Sequence, residues 1–146
     1  MHFLSKALNN YFKEHNRAPV VGMAHSTFDL LHAGHTHYLE YSKNRCDFLI
    51  VGLLSDPTID RLNTKNFPCQ TMYERYLQLE GIRYVDFIIP FSHEEDIVNM
   101  LKLVKPDYRF LGEEYRDVEY TGKGLVEDVF VPRKHSFSSS KLRKQR

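Results

Sequence analysis

The chain has 146 residues and a mass of 17.3 kDa, the size of one domain with its own core. Hydrophobic residues make up 42% and charged residues 27%, ordinary for a soluble globular protein, and a net charge of +1 makes no case for nucleic-acid or membrane binding. The longest apolar run, Phe48 to Leu54, is far too short to span a bilayer, residues Met1 to Lys6 lack the apolar core of a signal peptide, and Cys46 and Cys69 form neither a disulfide framework nor a spaced metal site, so a reduced, cytoplasmic protein is expected.

Residues 1 to about 16 read as a helix, with Leu4, Leu8, Tyr11 and Phe12, joined by Phe3 and Ala7, in one apolar stripe. Pro19 starts a new element. The helix either covers the sheet or serves as a dimer contact or lid, and an apolar stripe is more often core. Val20 to Ala24 is the first strand, apolar enough for a buried parallel sheet. An amphipathic run follows from about His37 to Arg45, so the intervening Thr27-Phe28-Asp29-Leu30-Leu31-His32-Ala33-Gly34-His35 is a turn entering a helix. A helix N-terminus offers unpaired N–H groups and the positive end of the macrodipole to a phosphate. Gly34 permits close backbone approach, and His32 and His35 lie one helical turn apart, able to face one ligand.

Phe48 to Leu54 is the second strand, and Ser55-Asp56 lies at its C-terminal end, where open α/β sheets bind ligands. Asp56 caps the following turn, touches a ligand, or does both. Asn63 to Gln70 is a polar connection with Lys65 as a mobile phosphate-seeking or merely solvated cation. A helix from Thr71 to Leu79 carries Glu74 and Arg75, and the strand Phe87 to Pro90 follows Arg83-Tyr84-Val85-Asp86. Arg75 is either part of an ion-pair network with Glu74, Asp86 and Asp56 or, the reading preferred, a bidentate phosphate ligand, whereas Arg83 is structural. His93 to Val104 is an amphipathic helix with an acidic first turn, ended by Pro106. Strands at Asp107 to Gly112 and Asp128 to Pro132 complete a five-stranded set. The loop Gly112-Glu113-Glu114-Tyr115 and the segment Arg133 to Lys141 follow these last two strands. Ser138, Ser139 and Ser140 can cap a second helix N-terminus and donate to phosphate oxygens.

The nine-residue run from Thr27 to His35 resembles the nucleotide-binding signature of the cytidylyltransferase-like nucleotidyltransferases. Within that family the chain is similar first to the small bacterial glycerol-3-phosphate cytidylyltransferases and second to the adenylyltransferase half of the heptose-phosphate enzymes. The likeness extends over residues 19 to 146 through Arg-Tyr-Val-Asp at 83–86, Gly-Glu-Glu-Tyr at 112–115 and the serine segment, with residues 1–18 as a helical extension. His25-Ser26 departs from the family's aromatic-glycine pair, which is tolerable only where the backbone needs no positive φ. Lys134 and Ser136 depart from its usual Thr and Gly.

The resemblance implies a three-layer, Rossmann-like α/β fold with a parallel sheet ordered 3-2-1-4-5, its switch point between strands 1 and 4. It implies transfer of a nucleotidyl group from CTP, or ATP, to a phosphorylated small molecule such as glycerol 3-phosphate, with pyrophosphate released and Mg2+ carried on the triphosphate. His32, His35, Lys65 and Arg133 would be catalytic. Thr27, Phe28, Gly34, Gly112, Arg133 and the three serines would hold the nucleotide together with the histidines. Asp29, Asp56, Arg75 and Glu114 would meet the acceptor. A homodimer is expected by analogy, and His25 and His37 are candidate site neighbours. The alternatives are an adenylyltransferase acting on a heptose phosphate and a nucleotide-binding regulatory protein without turnover. A zinc site at His32 and His35 lacks a third and fourth ligand of the usual kind.

Overall fold

A computed structural model describes residues 2–62 and 65–133. In chain order it contains α1 (His2–His15), β1 (Val21–Ser26), α2 (Ala33–Lys43), β2 (Phe48–Leu54), α3 (Met72–Glu80), β3 (Phe87–Phe91), α4 (Glu94–Val104), β4 (Tyr108–Gly112), a one-turn 3-10 helix (Glu113–Tyr115) and β5 (Glu127–Val131). The strands form one five-stranded parallel sheet in the order β3-β2-β1-β4-β5, as the resemblance implied. Ser138, Ser139 and Ser140 lie outside the described residues, as do Lys134 and Ser136.

The sheet is covered on both faces, which explains the unbroken apolar character of β2. On one face Leu39 of α2 and Leu79 of α3 pack with Ala24, Leu49, Val51, Leu53, Phe110 and Val131. On the other, Leu4 of α1 and Ile97, Met100 and Leu101 of α4 pack with Met23, Phe48, Ile50 and Phe91. Gly22 in β1 leaves room for the Phe110 ring of the neighbouring β4, because a Cβ there would stand 2.4 Å from Phe110 Cε2. Thr71 opens α3 with a reciprocal cap, its hydroxyl accepting from the Glu74 amide while the Glu74 carboxylate accepts from its own.

The extra helix is a cover for the sheet, but its buried stripe is narrower than its sequence suggests. Leu4 is fully buried with Ala7 and Leu8 beside it, whereas Phe3 and Phe12 are 77% and 52% exposed. At about 100° per residue, Phe3 and Phe12 fall roughly a quarter-turn to either side of Leu4. No helix among the described residues is long and apolar enough to cross a membrane.

Sheet order positions the site. Beyond β1 the chain turns to α2 and β2 on one side, while β4 lies on the other, so the C-terminal ends of β1 and β4 open onto a common crevice.

Candidate functional site

A cleft of about 520 Å³ occupies that crevice. Its walls come from the ends of β1, β4 and β5, the start of α2, the connection after β2 and the 3-10 turn after β4.

The helix carrying the histidine motif begins earlier than the run from His37 suggests: His32 is the N-cap of α2 and His35 its third residue. β1 runs on through Ser26, and the positive φ values of the turn fall at Phe28 (51°) and Leu30 (53°), so Ser26 is compatible with the loop. Phe28 is buried, with its ring 5.7 Å from that of His35. The Gly34 amide donates to His32 Nδ1 at 3.0 Å, and the His32 amide donates to His35 Nδ1 at 3.2 Å. The two rings lie 4.0 Å apart. Because each Nδ1 accepts a hydrogen bond, each neutral ring carries its proton on Nε2. The His35 amide donates to the His32 carbonyl, so the Gly34 and His35 N–H groups expected to meet a phosphate are already used. At this turn neither of those two amides is left to meet an anion.

Two residues expected at the acceptor, Asp29 in the cleft wall and Arg75 behind it, make buried bonds that hold the fold. Asp29 is buried, and its carboxylate accepts from the Cys69 and Gln70 amides at 2.8 and 3.0 Å. Arg75 is 2% exposed and donates to four carbonyls: Gln70 through Nε, Thr27 and Leu54 through Nη1, and Ser55 through Nη2. Burial draws its pKa down, while Asp29 and Asp56 oppose the shift. Its donors tie the ends of β1 and β2 to the start of α3, in place of the phosphate contact or ion-pair network expected for it. Asp56 is likewise a cap: its Oδ1 accepts from the Thr58 amide and hydroxyl at 2.8 and 2.7 Å, and it is not part of the cleft wall.

The other expected residues of the described part converge on the cleft beside Asp29. Thr27, Phe28, Gly34, Gly112, Glu114, Lys65 and Arg133 all line the cleft with the two histidines. The Glu114 carboxylate folds against Gly112, where a Cβ would meet its oxygens at 2.3 and 2.5 Å. Arg61, also in the wall, pairs with Glu94 at 2.9 Å. His37 bonds the Pro132 carbonyl at 3.3 Å and joins α2 to the end of β5. Among the described residues no three of His, Cys, Asp or Glu gather as a metal-ligand group.

Sequence reasoning missed Arg109, Tyr120 and the depth of His25, all of which line the cleft. Burial and the nearby Arg109 push the His25 pKa down to about 3, so it is neutral at ordinary pH. Tyr38 donates to the Phe110 carbonyl, and burial raises its pKa. The signal that could have found Arg109 is a lone cation inside the otherwise apolar run Tyr108 to Leu111.

Over 104 residues the chain is 36% identical to the bifunctional protein HldE of Helicobacter hepaticus, a match covering 71% of this chain and 21% of that protein. The chain thus spans about a fifth of the length of that relative. A crystal structure of a lipopolysaccharide core biosynthesis protein from Thermoplasma volcanium superposes with a TM-score of 0.63 at 27% identity, covering 82% of this chain and all of that one. A pantoate–β-alanine ligase from Francisella tularensis, 17% identical, shares the fold with a TM-score of 0.61 over 93% of this chain and 70% of its own. The family model described as cytidylyltransferase-like matches residues 23–145, and the chain belongs to that family.

Proposed function

We propose that the chain is a nucleotidyltransferase that moves an adenylyl group from ATP to a sugar phosphate and releases pyrophosphate. The reading rests above all on the His32–His35 cap, which fixes both imidazoles as Nε2–H donors in a cleft that also holds Lys65 and Arg133. An oxygen of the acceptor phosphate attacks the α-phosphorus in line, and the bond to the departing pyrophosphate breaks. No protein nucleophile is required, since that phosphate is already ionised at neutral pH. The protein contributes positioning and charge stabilisation. His32 and His35 donate to phosphate oxygens as these gain charge, and Lys65 and Arg133 neutralise the triphosphate from the rim. Magnesium would come with the triphosphate as part of the donor substrate.

The relatives named HldE and the lipopolysaccharide core protein support a sugar phosphate and ATP over glycerol 3-phosphate and CTP. Cytidylyl transfer to glycerol 3-phosphate is the second reading, favoured by the Arg-Tyr-Val-Asp segment at 83–86. Pyrophosphate release separates them, with ATP, CTP, GTP and UTP each supplied with magnesium against heptose 1-phosphate, ribitol phosphate, glycerol 3-phosphate and phosphocholine. Release with ATP and heptose phosphate, lost in His35→Ala, supports the first reading. Release with CTP and glycerol 3-phosphate replaces it with the second. Tight nucleotide binding without release from any pair makes the chain a nucleotide-binding regulator. Sedimentation of the same preparation tests the homodimer.

A further inference from the structure

Among the described residues, the buried side-chain atoms that lack a hydrogen-bond partner are Nδ1 and Nε2 of His25, Nε of Arg109 and Oδ1 of Asp128. They belong to one patch. Arg109 on β4 stands opposite Met23 of β1 and opposite Asp128 of β5. His25 follows Met23 by two residues and shares its face of the sheet. Along the same row β2 and β3 carry Ile50 and Phe87, so the face changes from apolar to polar as it reaches β4 and β5. Buried polar groups without partners are costly, and their grouping beside a cleft calls for a ligand or ordered water.

The surroundings are built around these groups. Gly52 stands opposite His25, where a Cβ would lie 2.5 Å from the imidazole Cδ2. Gly122, at φ +82°, brings the loop before β5 down on Arg109, where a Cβ would meet Nη1 at 2.9 Å and Leu101 Cδ1 at 2.8 Å. Arg109 Nη1 donates to the Thr121 carbonyl, and the guanidinium lies 5.5 Å from the Tyr120 ring centre. The Tyr120 hydroxyl donates to Asp128. His25, Arg109, Tyr120 and Thr121 line the same cleft as the paired histidines.

The charge balance suggests the occupant. Asp128 offsets Arg109, Glu94 offsets Arg61 at the mouth, and His25 is neutral. Such a floor offers donors and acceptors without net charge. It suits hydroxyl groups, each of which both donates and accepts, better than a second anion.

We propose that His25, Arg109 and Tyr120, with Asp128 behind them holding Tyr120 and balancing Arg109, form the subsite for the uncharged polyhydroxylated body of the acceptor and set a preference for a sugar phosphate over a smaller phosphorylated alcohol. The proposal rests on the transferase reading of the same cleft and names the residues that choose its acceptor.

The test varies acceptor and donor separately. With the donor nucleotide saturating, KM is measured for heptose 1-phosphate and for glycerol 3-phosphate in the wild type, in Arg109→Leu/Asp128→Leu and in His25→Leu. The double substitution removes both charges together and strands neither. In each variant KM for heptose 1-phosphate rises about tenfold, the scale of a lost hydrogen bond to a charged or buried group, while KM for glycerol 3-phosphate and for the nucleotide changes less than about twofold. An equal rise for both acceptors, or none, overturns the subsite and leaves the transferase standing. If no acceptor supports turnover, the transferase reading fails, and calorimetric binding of heptose 1-phosphate tests the subsite alone: binding about tenfold weaker in the variants supports it, and unchanged binding overturns it. If the double variant does not melt cooperatively, His25→Leu decides.

Discussion

Asp29 and Arg75 grip Gln70 by its two backbone ends: the Asp29 carboxylate accepts from the Gln70 amide at 3.0 Å, and Arg75 Nε donates to the Gln70 carbonyl at 3.2 Å. The Gln70 side chain closes the circuit, its Oε1 accepting from the Leu30 amide at 2.8 Å. The turn that carries the histidines is therefore fastened to the start of α3 by buried polar groups.

This arrangement predicts a stability defect from conservative changes. Arg75→Lys keeps the charge but cannot reach four carbonyls with one ammonium, so urea denaturation should show a loss of about 2–4 kcal/mol. Asp29→Asn turns one acceptor into a donor facing an amide and should cost about 1–3 kcal/mol. An Arg75→Lys protein as stable as the wild type would return Arg75 to the ligand side of the cleft.

His25 predicts acid sensitivity. Its ordinary pKa of 6.5 falls to about 3 in the folded chain. Between those values the unfolded chain binds a proton that the folded chain does not, so this contribution to stability is present above pH 6.5 and is lost as pH falls toward 3. At pH 4 the loss reaches about 3 kcal/mol relative to neutral pH. Denaturation of wild type and His25→Leu across pH 4–7.5 checks it: the difference between the two curves should slope with pH, and parallel curves would refute the buried neutral imidazole.

Lys65 and Arg133 are exposed at the rim, so their contribution should be electrostatic and screened. Alanine at either position should weaken triphosphate binding about three- to tenfold at low salt and less at high salt, with the melting temperature unmoved in Lys65→Ala. Titration calorimetry at two ionic strengths measures this. A salt-independent loss would indicate a buried contact instead.

The parts legible in the sequence are those written in neighbouring residues. Phe48 to Leu54 announces a strand buried on both faces, and the histidine motif between an apolar run and an amphipathic one announces a strand-to-helix turn. The backbone roles of Asp29 and Arg75 are not legible because their partners are amides and carbonyls of distant segments, and no residue type marks a carbonyl as needing a donor. Arg109 and Asp128 meet only through the register of β4 and β5, and His25 meets Arg109 only because β1 lies beside β4. Pattern also failed at Phe3 and Phe12, since an apolar flank reads like an apolar face until the sheet selects Leu4.

The central claim is that His32 and His35 use Nδ1 to build the helix cap and Nε2–H to hold the reacting phosphates. His32→Asn separates the two roles, because Asn caps as well as any residue and its Oδ1 can take the Gly34 amide, yet it presents no donor where Nε2 stood. The first measurement is single-turnover pyrophosphate release by wild type and His32→Asn, with melting temperatures recorded on the same samples. The account predicts an unchanged melt and a rate lower by about 10²–10³-fold, the scale of one lost donor to a developing oxyanion. A His32→Asn protein that releases pyrophosphate within a few-fold of the wild type would contradict it.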